Sequence, residues 1–130
     1  YGVDKSYASF SVPLGATINM DGTAIMQGCA TFFLAAYYGI NLDFSDILTI
    51  IFTATIASIG TAGIPSAGII MLSLILVEIG IPTEGIALLL GVDRLLDMIR
   101  TSVNVAGDTC ITCIIASSEN LIDNNKYHSV

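Results

Sequence analysis

An apolar run from Ala8 to Ile40 is interrupted in its middle by Gly15-Ala16-Thr17-Ile18-Asn19-Met20-Asp21-Gly22-Thr23, GATINMDGT. No other feature restricts the fold of this chain as strongly. A helix crossing lipid must satisfy its backbone polar groups internally, and an ionised side chain at its centre costs about 2.5–3.5 kcal/mol. An asparagine, an aspartate and two glycines at that depth therefore demand a protein interior, a watery cavity or a ligand. Composition is what places the run at a membrane. Hydrophobic residues make up 54% and charged residues 12% of the 130 positions, whereas an ordinary soluble domain carries about 25% charged residues. The net charge of −7 reflects 4 Lys and Arg against 11 Asp and Glu. That scarcity of cations leaves no basic patch for nucleic acid and gives the loop-charge rule for membrane orientation nothing to act on.

The next two apolar segments are too short to cross. Ile47–Ile59 has 13 residues and Ile69–Ile79 has 11, whereas a helical crossing needs about 20. They flank a Gly/Pro/Ser tip, GTAGIPSAG, from Gly60 to Gly68. Two half-length segments around such a tip predict a re-entrant helical hairpin over 47–79, tolerated only inside protein or along a watery cavity. Gly80–Gly85, GIPTEG, reads as a surface turn, and the polar tail 117–130 is expected to fray into water. The opening YGVDKSYASF has no initiator methionine and no secretory-signal layout, so a segment from within a longer protein is expected. Cys29, Cys110 and Cys113 read as buried packing residues, since no second pair or neighbouring His completes a metal or redox motif. No phosphate loop or dinucleotide motif is present, and no enzyme activity is expected.

The fourth segment, Ile86–Ala116, is long enough to span, yet it carries Asp93, Asp97, Arg100, Thr101, Asn104 and Asp108. On an α-helix all six fall within an arc of about 100°, with Arg94 at its edge. Two readings of Asp97 and Arg100 stay open here. They form an intrahelical ion pair at (i, i+3), or they hold the two ends of a zwitterionic solute, Arg clamping a carboxylate. Asp108, Asn104, Asn19, Asp21 and Thr17 supply oxygen donors suited to a hard cation. A broken helix adds free carbonyls at its C-terminal break. The alternative for GATINMDGT is a glycine-rich kink that only packs, but a kink does not need both Asn19 and Asp21. The expected fold is an all-α membrane protein: a discontinuous transmembrane helix (8–40), a re-entrant hairpin (47–79), an amphipathic transmembrane helix (86–116) and the polar tail (117–130).

Three strings, NMDGT at 19–23, SIGTAGIPSAG at 58–68 and LDMIRTSVNVAGD at 96–108, together resemble the glutamate/aspartate:sodium symporters, the dicarboxylate/amino acid:cation symporter family. The resemblance runs in order over nearly the whole chain and matches the C-terminal part of the transport domain. Members of that family are themselves among the transporters in which broken helices mark the binding site. The resemblance implies that Arg100 binds the substrate's side-chain carboxylate and Asp97 its amino group. Thr23, Thr101 and Asn104 would complete the polar contacts, with backbone at Gly63, Ile64 and Gly68. One sodium site would use carbonyls of Gly15, Asn19 and Asn104 with the Asp108 carboxylate. A second would use Thr17, Met20, Ser58, Ile59 and Thr61, and a third Asp21 and Asn19 with residues from a helix absent here.

The family's transport domain moves as an elevator against a trimeric scaffold. The first hairpin and that scaffold lie outside these residues, so a lipid bilayer, a homotrimer and the remainder of the transporter are the expected partners. Met98 stands where animal members resemble Asp-Arg-Phe-Arg, as in prokaryotic members, so a bacterial or archaeal inner membrane is expected. Gln27 stands where potassium-coupled animal transporters have Glu, a departure that bears on proton and potassium coupling. INMDG and Asp108 favour sodium over the FNLDG and terminal Asn of dicarboxylate and proton-coupled relatives. Arg100, which neutral amino acid relatives lack, favours an acidic substrate. The competing expectations are a C4-dicarboxylate transporter of the same fold, a channel with a re-entrant pore loop, and a non-transporting membrane fragment or regulator.

Overall fold

The chain breaks at Asn19 and Met20, where the backbone leaves helical geometry at two successive residues (φ −125°, ψ 82° and φ −114°, ψ 60°). The computed structural model describes residues 1–60 and 67–123, and the described residues are mostly helical. Helix α1, Lys5–Ile18, precedes the break, and α2, Asp21–Tyr38, follows it. Then come α3, Phe44–Gly60, and α4, Ala67–Ile79. A 3-10 turn at Thr83–Gly85 leads into α5, Ile86–Leu90, and α6, Asp93–Ser118, completes the order. The helix expected to run unbroken over 86–116 is therefore two. Gly91, a poor helix former, and Val92, at φ −116° and ψ −4°, separate α5 from α6.

Local chemistry sets four of the helix ends. Asp4 caps α1, its Oδ1 accepting from Ser6 N (2.9 Å) and Tyr7 N (3.2 Å). A reciprocal box opens α3: Asp46 N donates to Asp43 Oδ1 (2.8 Å) while Asp43 N donates to Asp46 Oδ2 (3.0 Å). The ends of α2 and α4 share one device. Gly39 (φ 67°) and Gly80 (φ 78°) adopt left-handed backbone, and the next residues, Ile40 and Ile81, donate back to Ala35 O and Leu76 O, both at 2.8 Å. Both isoleucines then turn inward onto the core. Ile81 is only 2% exposed, so the segment read as a surface turn is partly interior. Gly85 is buried too, where a Cβ would lie 2.7 Å from Leu34 Cδ2.

The main core joins α2, α4, the 80–85 connection and α5 through Ala30, Leu34, Leu72, Leu76, Ile81 and Leu89. A smaller cluster of Ile50, Ala54 and Ile75 packs α3 against α4. Alongside them, α6 runs antiparallel to the α1–α2 pair. Asp4 N meets Leu121 O (2.9 Å), Ser11 Oγ meets Thr112 Oγ1 (2.7 Å), and Asn19 Nδ2 meets Asp108 Oδ1 (2.9 Å). An antiparallel bridge between Val3 and Ile122 closes the far end of this pairing. Of the tail expected to fray from Ser117, residues 117–123 are held in place, α6 extending to Ser118 and Asp123 N donating to Gly2 O (2.8 Å), and 124–130 lie outside the described residues.

Among the described residues no helix is long and apolar enough to cross a membrane. Large apolar side chains nonetheless cover the outside, with Phe10, Phe52, Ile56, Ile70, Val77 and Leu95 each at least 65% exposed. Surfaces of that kind mark contact with lipid or with more protein. The cysteines share this position. Cys29 and Cys110 are exposed and Cys113 half-buried, which corrects the expectation that all three are interior. Their apolar neighbours belong to uncovered helix faces.

Candidate functional site

The site forms where the α1–α2 break lies against the middle of α6. A helix N-terminus leaves its first amides without intrahelical partners, and α2 has no cap of its own, since its Met20 cap position makes no side-chain bond. Asn104 of α6 fills that role, its Oδ1 accepting from Gly22 N at 2.8 Å. Its Nδ2 reaches Thr23 Oγ1 at 3.4 Å, and Thr23 is 2% exposed. One asparagine thus ties the restart of the broken helix to the polar stripe. Gly22 allows the approach, because a Cβ there would lie 2.5 Å from the Arg100 carbonyl oxygen.

One turn further along α6, Asp108 is buried, and its Oδ1 accepts from Asn19 Nδ2. A Cβ on Gly15 would come 2.5 Å from that same oxygen, so only glycine leaves the carboxylate its place. A Cβ on Gly107 would lie 3.1 Å from both Asn19 Nδ2 and Asp21 Oδ2, so Asn19 lies between Asp21 at this glycine and the Asp108 carboxylate to which it donates. The groups gathered there are the Asp21 and Asp108 carboxylates and the Asn19 carboxamide, and carboxylate and amide oxygens are ligands for a hard cation. Among the described residues no group of three or more His, Cys, Asp or Glu is placed to hold a metal. A cation here would therefore depend on amide and backbone oxygens beside the two carboxylates.

Toward the N-terminal end of the stripe, Arg100 is 5% exposed and forms an ion pair through Nη2 with Asp97 Oδ1. The intrahelical pairing is thus present, and the Asp97 side chain keeps 30% of its surface open. Arg100 Nη1 also contacts Met26 Sδ of α2 at 3.8 Å. From α4, Gly68 closes in, since a Cβ there would lie 2.6 Å from Nη1. Gln27, fully buried, donates through Nε2 to Gly68 O at 3.3 Å. Its Oε1, like Asp93 Oδ1, has no partner among the described residues. Helices α2, α4 and α6 therefore converge on one guanidinium.

The structure gathers Gly15, Asn19, Asp21, Asn104 and Asp108 at the break, and Thr23, Gly68, Asp97 and Arg100 beside it. Other expected residues lie apart from these contacts. Thr17 is exposed and donates to Leu14 O of its own helix (2.8 Å), and Ser58 likewise donates to Thr55 O (2.8 Å). Thr101 and Ile59 are exposed, whereas Met20 is buried at the break itself, its carbonyl accepting from Thr23 N (3.0 Å). Thr61, Gly63 and Ile64 lie outside the described residues. Neither the contact of Met26 with Arg100 nor the Gln27–Gly68 bond was anticipated from the sequence. Met26 interrupts no pattern in its apolar helix, and Gln27, although polar within that run, carries no sign of its partner, so only the fold brings them to the site.

The model of the sodium:dicarboxylate symporter family matches residues 1–118. The chain belongs to that family. It is similar to excitatory amino acid transporter 2 of Mus musculus, 55% identical over 108 residues that make up 83% of this chain and 19% of the relative. Similarity to the Homo sapiens excitatory amino acid transporter 2 is 54% over the same shares. The Caenorhabditis elegans excitatory amino acid transporter is 49% identical over 107 residues, 82% of this chain and 21% of that protein. The chain spans about a fifth of the length of the curated relatives it matches. These relatives are animal proteins and give the expectation of a bacterial or archaeal membrane no support.

Proposed function

We propose that this chain is the C-terminal part of the transport domain of a secondary active transporter that couples sodium to an acidic amino acid, glutamate or aspartate. The observation that carries the reading is the convergence of α2, α4 and α6 on the buried Arg100, paired with the half-exposed Asp97, beside the Asn19–Asp108 contact. An arginine fork suits a carboxylate, and Asp97 suits the ammonium of the same solute. Asn104 and Thr23 line the approach, Thr101 adds a hydroxyl from the exposed edge, and the tip contributes backbone at Gly63 and Ile64. Sodium is co-transported, held at Gly15, Asn19, Asn104 and Asp108, with further ions at Asp21 and Asn19 and at Thr17, Met20, Ser58, Ile59 and Thr61.

In this reading α3 and α4 form a re-entrant hairpin. Their 17 and 13 residues correspond to about 26 and 20 Å, short of a hydrocarbon core of about 30 Å. Closing the tip over Arg100 would couple solute to ion, because both then stabilise the same closed state. The remainder of a multi-pass, homotrimeric protein supplies the first hairpin and the scaffold against which the domain moves as an elevator.

A second reading, a C4-dicarboxylate as cargo, is favoured by the family's own description. It leaves Asp97 without an ammonium to receive. The test is uptake of aspartate, glutamate and succinate into proteoliposomes by the full-length protein, with and without an inward sodium gradient. Sodium-driven accumulation of the amino acids, lost in Arg100→Ala, is expected. Acidic amino acid uptake that survives Arg100→Ala sinks the substrate assignment. Succinate uptake alone establishes the second reading, and passive sodium-independent flux a channel.

A further inference from the structure

The two ends of the Arg100 fork are held by very different partners. Nη2 faces the Asp97 carboxylate, a strong charged acceptor, while Nη1 faces the Met26 thioether at 3.8 Å. A thioether sulfur accepts weakly, yet a guanidinium that is 95% buried ordinarily has strong acceptors on its N–H groups. Half of this fork is satisfied and half is only occupied.

What surrounds Nη1 decides which neighbour gives way to a ligand. Gly68 contributes no side chain, and its backbone is fixed to α2 through Gln27 Nε2. Met26 is half-buried, and with Arg100, Gly22 and Leu96 it lines a cavity of about 350 Å3. Its unbranched side chain turns about three bonds, so it is the partner able to move. We propose that Met26 is a positioning residue that holds Arg100 Nη1 with an acceptor weak enough to be displaced by an anionic oxygen of the solute. The inference rests on the reading that Arg100 receives an acidic solute. A neutral amide oxygen in the same place would compete for Nη1, whereas a side chain of equal bulk with no acceptor would not.

The experiment measures KM and maximal rate for sodium-driven aspartate uptake by the full-length protein, comparing wild type, Met26→Leu, Met26→Gln and Arg100→Ala. Met26→Gln is expected to raise KM roughly tenfold, the scale of one hydrogen bond to a charged group that must be surrendered, with maximal rate changed less than about twofold. Met26→Leu is expected to keep KM within about twofold of wild type. A KM unchanged by glutamine overturns the proposal. So does a leucine variant that raises KM tenfold, since packing rather than acceptor strength would then be at work. The leucine arm stands even where the glutamine variant does not fold. Uptake that persists in Arg100→Ala strikes the underlying substrate reading instead, which separates the two failures.

Discussion

At the scale of single residues, the site is built on glycines as much as on charges. Gly15, Gly22, Gly68 and Gly107 each bring backbone within reach of Asp108, Arg100 or Asn19, at positions where a methyl group would lie 2.5–3.1 Å from a neighbouring atom. Asp108 is the most informative charge to alter. Asp108→Asn keeps an oxygen to accept from Asn19 Nδ2 while removing the negative charge that a cation would use. In the full-length protein it is expected to raise the sodium concentration for half-maximal uptake roughly tenfold, as for the loss of one charge-assisted contact. An unchanged sodium titration removes Asp108 from the ligands.

At the scale of elements, the broken helix depends on its neighbour. Helix α2 starts without a side-chain cap of its own, and Asn104, 82 residues away in sequence, accepts from its Gly22 amide. Asn104→Leu, nearly the same size, leaves that amide unpaired and is expected to cost about 1–3 kcal/mol. Thermal or denaturant unfolding of the full-length protein in detergent reads the loss, and an unaltered midpoint refutes the capping role. The break and the polar stripe on α6 were both legible in the sequence, because GATINMDGT disrupts an apolar run and the six polar residues share one helical face. The interruption at Gly91–Val92 was not. A single glycine in a long apolar segment is often absorbed by a helix, and here the dihedral angles of Val92 decide it.

Across the whole molecule, one core at Leu34, Leu72, Leu76 and Ile81 fastens α2 to α4, and a polar seam fastens α1 and α2 to α6. Leu76 is fully buried, so Leu76→Ala is expected to destabilise by about 2–5 kcal/mol. The measurement is again the unfolding midpoint, and a shift of under about 0.5 kcal/mol would show that the core does not carry this junction. The sequence by itself determined the helical class, a break within GATINMDGT, the short paired segments and the polar face of α6. Each of these follows from local periodicity, helix-breaking chemistry and the cost of placing charge among apolar residues. Only the tertiary structure decided what those features meet. It set Asn104 on the Gly22 amide, Met26 and Gly68 around Arg100, and Ile122 against Val3. Such contacts join residues up to more than a hundred positions apart, and periodicity along one helix carries no information about which face of another will cover it.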